Sequence, residues 1–290
     1  MNRHGRHRLA AVSAVVAATI LLSGCGLSRN PVPLDRISDG QLPGFSDVRR
    51  WGSQYRPDVK MGADPWSDCS VLALSGGGAS GAFGAGFLNG WTASGTRPTF
   101  RVVTGISTGS LIAPLAFLGP DYDAELKEFY THTRTRDILH IQGLFGALWR
   151  AITGESVAST APLQKLIAQL AREDTLAAIA REHARGRRLY IGSTNLDAQQ
   201  LVLWDMGAIA SSGHPDALKL FRKVMLASAS IPGAFPPVYF EVEVDGRRYD
   251  EMHVDGGVIT GVFGIGRLSA EQVETAEREG PCSCYVIRNG

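Results

Sequence analysis

Short apolar runs in this chain repeatedly end in glycine-rich turns that lead into helical patterns. The run at 70–74, SVLAL, is followed by SGGGASG, and the run at 101–104, RVVT, is followed by GISTGS. A short apolar run ended by glycine is typical of a buried strand. Similar runs alternate with helical segments along the rest of the chain. This alternation predicts an α/β sandwich around a mostly parallel central sheet.

Apolar spacing predicts where the other elements lie. We expect helices at 83–91, 107–118 and 215–227, and within 121–185. We expect further strands at 189–194, 201–204, 238–242, 247–254 and 284–287. Pro114 should kink or shorten its helix, and Asp245-Gly246 is a favourable turn pair for a hairpin. Because the chain ends directly after a strand, where a covering helix is expected, we expect the domain to continue beyond residue 290.

The first 24 residues resemble a secretory signal peptide. Arginines precede an apolar run at 9–22, which is too short to span a bilayer comfortably but suits a signal-peptide core. The run ends in LSGC, which resembles the bacterial lipobox and makes Cys25 the expected site of lipid attachment; an ordinary secretory peptide is the alternative. Several acyl chains would anchor the protein firmly, since one chain binds only marginally. Gly26 favours the outer membrane of the cell envelope, if the source has one.

Charge excludes a nucleic-acid partner. Loss of residues 1–24 removes three arginines and takes the formal charge from +1 to about −2. The chain therefore lacks the excess of positive charge with which proteins bind a polyanion. Residues 25–66 are rich in proline and lack periodicity. We therefore interpret them as a lipidated tether and a loosely packed N-terminal extension, which precede a domain at 67–290.

Three cysteines remain after Cys25, and an exported protein meets an oxidising compartment. Cys69 then pairs with Cys282 or Cys284, or all three stay free. The spacing of the three is a poor zinc pattern.

Residues 105–109, GISTG, place Ser107 in a sharp turn between a strand and a helix. Gly105 and Gly109 remove Cβ atoms that would clash in so tight a turn. The following helix offers free N–H groups and the positive end of its dipole, which favour an alkoxide. Ser107 is therefore the candidate nucleophile, with a plain turn as the alternative.

A second glycine cluster follows the first strand. Consecutive glycines at Gly76, Gly77 and Gly78, with Gly81 after them, let backbone N–H groups converge on one anion. A dinucleotide or phosphate loop is one interpretation, but no acidic residue stands near position 97 and the Gly-Lys-Ser/Thr of a P-loop is missing. The other interpretation is an oxyanion hole.

Asp255 ends a predicted strand and is followed by Gly256 and Gly257, which allow close approach to another backbone. If it meets Ser107, it can act as a general base; a turn is the alternative. A rival is a Ser–His–Asp triad, with His253 on the same strand face as Asp255. The other candidate histidines are His140, His183 and His214.

A metal site built from Glu251, His253 and Asp255 is a further alternative, since these three alternate onto one face of a strand. The hydrolytic interpretation needs neither a metal nor a cofactor, and we expect none.

The order of these motifs resembles the patatin-like phospholipase family: a glycine-rich loop, Gly-x-Ser-x-Gly about 25 residues on, and a late Asp-Gly-Gly. The stretches STNLD at 193–197 and ASASIPGAFPP at 227–237 agree with it, and the similarity covers about residues 70–290. The resemblance implies a three-layer α/β/α domain that hydrolyses acyl esters of lipids. It makes Ser107 the nucleophile and Asp255 the base of a dyad. In one departure, Ser80 stands where the family often has Arg or Lys, so hydrolysis is better supported than a phospholipid preference.

We therefore expect a membrane-anchored serine acyl hydrolase of the phospholipase A or lysophospholipase type. Its partners would be a lipid or phospholipid substrate and, through Cys25, the membrane. A catalytically silent, lipid-anchored scaffold on the same fold is the non-enzymatic alternative. Residues 133–160 are the expected lid.

Overall fold

The computed structural model describes residues 29–54, 70–132, 159–264 and 283–290. Within these ranges the strands are β1 (Arg49–Trp51), β2 (Ser70–Leu74), β3 (Val102–Ile106), β4 (Arg188–Asn195), β5 (Gln200–Asp205), β6 (Val238–Val244), β7 (Arg247–Asp255) and β8 (Ser283–Ile287). The α-helices are α1 (Gly81–Ala93), α2 (Thr108–Leu118), α3 (Asp123–His132), α4 (Ala161–Leu170), α5 (Glu173–Ala184), α6 (Met206–Ser211) and α7 (Ala217–Ser228). None of these helices is both long and apolar enough to cross a bilayer.

The strands form one sheet in the order β1-β5-β4-β3-β2-β8, and the hairpin β6–β7 joins it through β4. The adjacent strands β4, β3, β2 and β8 run parallel to one another, whereas β5 is antiparallel to both of its neighbours, β4 and β1. The fold is therefore mixed α/β with a mostly parallel central sheet, as the alternation of strand and helix patterns predicts.

Burial on both faces explains why the central strands are apolar throughout. Every residue of β2 and β3 is buried, as expected for parallel strands covered on both sides. Because successive side chains point to opposite faces, Leu72 and Val103 join the main core with the helices. Val71 and Val102 join a second, smaller cluster with Phe263. Apolar clusters on both faces are the packing that an α/β/α sandwich requires.

Most local predictions agree with the structure. The expected helices at 83–91, 107–118 and 215–227 are α1, α2 and α7, with ends shifted by no more than about two residues. Pro114 does not end its helix, because α2 continues to Leu118. The hairpin β6–β7 turns at Asp245 and Gly246, and both have positive φ, as a type I′ turn requires.

Strands β3 and β7 share one edge of β4, since β5 pairs along the other edge. Parallel β3 ends with Ile106 opposite Gly192, and antiparallel β7 ends with Asp255 opposite Ser193. The two strands thus approach from opposite directions and meet end to end at successive residues of β4. This pairing brings Ser107, the residue after β3, beside Asp255.

The expectation that residues 25–66 form a loosely packed extension is wrong for the described part, 29–54. Strand β1 pairs with β5, and Val32 and Val48 are buried in the main core. Arg49 forms an ion pair with Glu251 of β7 at 2.5 Å. The described part of this segment therefore packs against the central sheet and the main core.

Candidate active site

The turn between β3 and α2 holds Ser107 in a strained conformation, with φ 55° and ψ −123°. Such a conformation is rare for a residue with a side chain and typical of a functional site. The glycines around it allow the turn: a Cβ on Gly105 would lie 2.5 Å from the carbonyl oxygen of Gly109. A Cβ on Gly109 would meet the carbonyl oxygens of Leu74 and Ser75. Neither position accepts any side chain without movement of the backbone.

Hydrogen bonds hold the turn around Ser107 in place. The N–H of Ser107 donates to Oγ of Ser228 at 3.0 Å, and that hydroxyl donates to the carbonyl oxygen of Gly192 at 2.7 Å. The hydroxyl of Ser110 donates to the carbonyl oxygen of Ser107 at 2.6 Å. Sequence reasoning gave Ser228 no role, although it lies in the stretch 227–237 that supported the family resemblance.

Asp255 is buried and incompletely hydrogen-bonded. Its Oδ1 accepts from the N–H of Gly257 at 2.7 Å, while Oδ2 has no hydrogen-bond partner among the described residues. Burial raises the pKa of Asp255, and interactions with the Ser107 hydroxyl and the Gly257 N–H oppose that rise. The hydroxyl of Ser107 therefore lies near this carboxylate without closing an ideal hydrogen bond to Oδ2. A basic oxygen with a free lone pair beside a serine hydroxyl is the arrangement of a general base.

The glycine loop supplies fewer free donors than the sequence predicts. The N–H of Gly76 donates to the carbonyl oxygen of Gly261 at 3.1 Å, and the N–H of Gly81 is used inside its own turn. The N–H groups of both residues predicted for the oxyanion hole therefore already have acceptors. In the described part of the chain, the N–H groups of Gly77 and Gly78 have no acceptor. These two remain the candidate oxyanion donors.

A cavity of about 680 Å³ contains the whole arrangement. Ser107 and Asp255 line it together with the loop from Ser75 to Gly78. Its apolar lining includes Ile231, Val258 and Val286, which are each partly exposed. Ser80 is exposed and does not line the cavity. An apolar cavity with a few convergent polar groups suits a ligand with an acyl chain.

Asn289 holds the glycine loop against the end of β8. It is buried, its backbone N–H donates to Oγ of Ser75 at 2.8 Å, and its Nδ2 donates to the Ser75 carbonyl oxygen at 2.8 Å. A Cβ on Gly77 would lie 2.5 Å from the Asn289 carbonyl oxygen, so only glycine allows this close contact. No local motif in the sequence points to this asparagine, because its partners lie far away in the chain.

His253 lies in a buried polar network behind the site. Its Nδ1 lies 2.9 Å from Oγ of Ser193, and its Nε2 lies 3.2 Å from Oε2 of Glu251. Burial lowers the pKa of His253, although the hydrogen bond to Glu251 opposes that change. Both ring nitrogens are therefore occupied away from Ser107, which does not support a triad through His253.

Glu251 is the charged centre of that network. It accepts hydrogen bonds from Arg49 at 2.5 and 2.9 Å and from Nδ2 of Asn195 at 3.2 Å. Burial alone would raise the pKa of Glu251, but the hydrogen bonds from His253 and Arg49 outweigh it and lower the pKa to about 2. Glu251 is thus the counter-ion of Arg49, and no group suited to a metal appears among the described residues.

The two other candidate histidines that the structure describes, His183 and His214, do not line the cavity. His183 lies 3.6 Å from Asp205, and Nδ1 of His214 accepts from the N–H of Asp216. Cys284 is a free thiol. The remaining predictions fall outside the described residues: Cys25, Cys69, His140, Cys282 and the expected lid up to residue 158.

A strained serine at a strand–helix elbow, a buried carboxylate beside it and a glycine loop define the class of α/β serine hydrolases. The chain belongs to the patatin-like phospholipase family, whose model matches residues 72–263. It is thereby assigned to the ester hydrolases.

Similar solved structures include VipD from Legionella pneumophila and ExoU of Pseudomonas aeruginosa, the latter in complex with SpcU. VipD is 15% identical with a TM-score of 0.45, and the match covers 77% of this chain and 50% of VipD. ExoU is 20% identical with a TM-score of 0.35, and the match covers 59% of this chain and 39% of ExoU. The match thus spans half or less of the length of these proteins. Among curated proteins, none matches the chain significantly.

Proposed function

We propose that the protein hydrolyses acyl esters of membrane lipids, with Ser107 as nucleophile, Asp255 as general base and the N–H groups of Gly77 and Gly78 as oxyanion hole. One observation carries this proposal: these four residues line one cavity, where Asp255 keeps an oxygen without a hydrogen-bond partner. Structural roles alone would leave no reason for a strained serine beside an incompletely bonded carboxylate.

Acylation starts when Oγ of Ser107 attacks the ester carbonyl carbon and Asp255 accepts its proton. The carbonyl oxygen becomes an oxyanion that accepts hydrogen bonds from Gly77 and Gly78. One such donor typically lowers the barrier by about 3–4 kcal/mol. The intermediate collapses to an acyl-serine, and the leaving alcohol takes the proton from Asp255.

Deacylation repeats these steps with water. Asp255 accepts a proton from a water molecule, which attacks the acyl carbonyl carbon. The second oxyanion uses the same two N–H groups. Its collapse breaks the ester to Ser107, returns the proton to the serine oxygen and releases the fatty acid.

We also propose that lipid chains on Cys25 hold the enzyme at the cell envelope, and at the outer membrane in a two-membrane cell. Arg29 stands four positions after Cys25 and bonds to both carboxylate oxygens of Asp197 at 2.8 Å. Four residues reach at most about 14 Å. Asp197 follows the carboxyl end of β4, at the sheet edge that carries Ser107. An anchor at Cys25 would therefore keep the catalytic edge close to the bilayer.

The test combines a fluorophosphonate probe with a lipid panel read by mass spectrometry. Wild-type protein should be labelled at Ser107 and should release fatty acid from diacyl or monoacyl lipids. Ser107→Ala should lose both properties, whereas Ser80→Ala, a matched serine on the adjacent loop, should keep them. Folded protein that shows neither labelling nor turnover would instead favour the scaffold.

A separate measurement tests the anchor. Intact mass of the N-terminal peptide should show a diacylglyceryl cysteine at position 25. A peptide that begins at another residue, or an unmodified Cys25, would contradict the anchor and leave the hydrolase proposal standing.

A further inference from the structure

Arg288 is a cation on the wall of the catalytic cavity. It follows β8 directly, and Val286, Arg288 and Gly290 all line the cavity. This spacing of two residues matches the alternation of an extended chain, so the Arg288 side chain is on the cavity side while Ile287 and Asn289 are buried on the other. Among the lining side chains that the structure describes, that of Arg288 is the one cation and that of Asp255 the one carboxylate.

The guanidinium of Arg288 has unused donors. Its Nε donates to the carbonyl oxygen of Gly290 at 2.9 Å, which orients the planar group. No side-chain carboxylate pairs with it in the described ranges, whereas other exposed arginines, such as Arg36 and Arg172, do have such partners. Both terminal NH₂ groups are therefore available to a ligand, and a guanidinium fork matches the oxygens of a phosphate.

The register of the sheet sets the distance between this cation and the nucleophile. Ile287 pairs with Leu74, and Leu74 pairs with Gly105, so Arg288 and Ser107 lie at the same sheet edge with only the end of β2 between them. Neighbouring strands are about 4.8 Å apart, which places the two backbones about 10 Å from each other. Asn289, clamped to Ser75, fixes Arg288 relative to the glycine loop.

We propose that Arg288 binds the phosphate of a glycerophospholipid whose acyl ester lies at Ser107, and so selects phospholipids over neutral acylglycerols. In such a lipid the phosphate is only a few covalent bonds from the ester carbonyl, within the span between Ser107 and Arg288. A diacylglycerol carries no anion for this site. Arg288 is thus a specificity-determining residue, and the inference rests on the proposed hydrolysis at Ser107.

Monomeric substrates test this site without interference from a charged surface. Short-chain diacyl phosphatidylcholine and the matching diacylglycerol are compared below their aggregation limits, with a p-nitrophenyl ester as a third substrate. Arg288→Gln should lower kcat/KM for the phospholipid about tenfold, which is about 1.4 kcal/mol. It should change the other two substrates less than twofold, and Arg288→Lys should recover part of the loss. Arg247→Gln, an exposed arginine at the hairpin turn, should change none of them.

Inorganic phosphate distinguishes the lipid head group from a free anion. In wild type it should compete weakly with the phospholipid, and in Arg288→Gln this competition should disappear. An unchanged ratio of phospholipid to diacylglycerol turnover in Arg288→Gln would overturn the inference, even if phosphate still binds. Wild-type protein that hydrolyses none of the three substrates would overturn the proposed function itself and this inference with it.

Discussion

Replacement of Arg49 by Met should destabilise the whole domain, although Arg49 lies outside the region that the family model matches. The side chain of Glu251 is 0% exposed and that of Arg49 is 12% exposed. The methionine would leave the carboxylate buried without its cation. Breaking a buried ion pair in this way typically costs about 3–5 kcal/mol.

The pKa of Glu251 gives the size and the pH dependence of the stabilisation that its carboxylate receives in the folded protein. It falls from an ordinary 4.5 to about 2 in the folded protein, which corresponds to about 3 kcal/mol at 1.36 kcal/mol per pKa unit. A lowered pKa contributes stability that is present above pH 4.5 and is lost as the pH falls toward 2. His253 contributes to this lowered pKa as well as Arg49, so the expected loss for Arg49→Met at pH 7 is taken from the buried ion pair, about 3–5 kcal/mol. Because the carboxylate is partly protonated at low pH, the loss should be clearly smaller at pH 3.

Urea denaturation at both pH values measures this difference. In thermal scans, 3 kcal/mol should lower Tm by about 6–12 °C for a domain of this size. Arg248→Met is the matched control: this arginine pairs with Glu241 and Glu243 at 3.4 and 3.6 Å, but its side chain is 71% exposed. An exposed pair contributes at most about 1 kcal/mol. A loss below 1 kcal/mol for Arg49→Met, or an equal loss at both pH values, would refute the reasoning.

Three further predictions concern the Asp255 carboxylate, two glycines and the pH dependence of hydrolysis. Asp255→Asn should raise Tm at pH 7 and not below about pH 4, because a raised pKa means that the folded protein disfavours the ionised carboxylate. Gly109→Ala should abolish soluble expression or hydrolysis, whereas Gly86→Ala, where a Cβ meets only open space, should stabilise helix α1 by up to about 1 kcal/mol. The profile of kcat/KM against pH should rise along one acid limb, with an apparent pKa above the usual 3.9 of aspartate; a limb at or below 3.9 would contradict Asp255 as base.

Local patterns were sufficient to locate each half of the candidate site. Three glycine-rich stretches indicate places where a side chain would obstruct the backbone: the glycines around Ser107, the loop after β2 and the Asp-Gly-Gly at the end of β7. Each of these signals lies within a few adjacent residues. The hairpin turn at Asp245-Gly246 was predictable for the same reason, because two positive φ values require such a pair.

Contacts between distant residues were not predictable in this way. Whether the N–H of a glycine is free depends on which distant residues lie near it. The N–H of Gly76 is not free for a ligand, because it donates to the carbonyl oxygen of Gly261. The proline content of residues 25–66 suggested a loose tether, but Arg29 and Arg49 form ion pairs with carboxylates on β7 and in the turn after β4. Arg288 lies near Ser107 only because β8 pairs with β2. Each of these depends on strand pairing across the sheet rather than on local propensity.

The end-to-end meeting of β3 and β7 on β4 also has a consequence for biosynthesis. No nascent chain that stops short of residue 255 contains both members of the proposed catalytic pair, Ser107 and Asp255, and the two lie side by side only where β3 and β7 both pair with β4. If the proposed dyad is correct, the site is incomplete during the greater part of synthesis. The long segment between Ser107 and Asp255 contains strands β4, β5 and β6, so most of the sheet is synthesised before the two residues can meet.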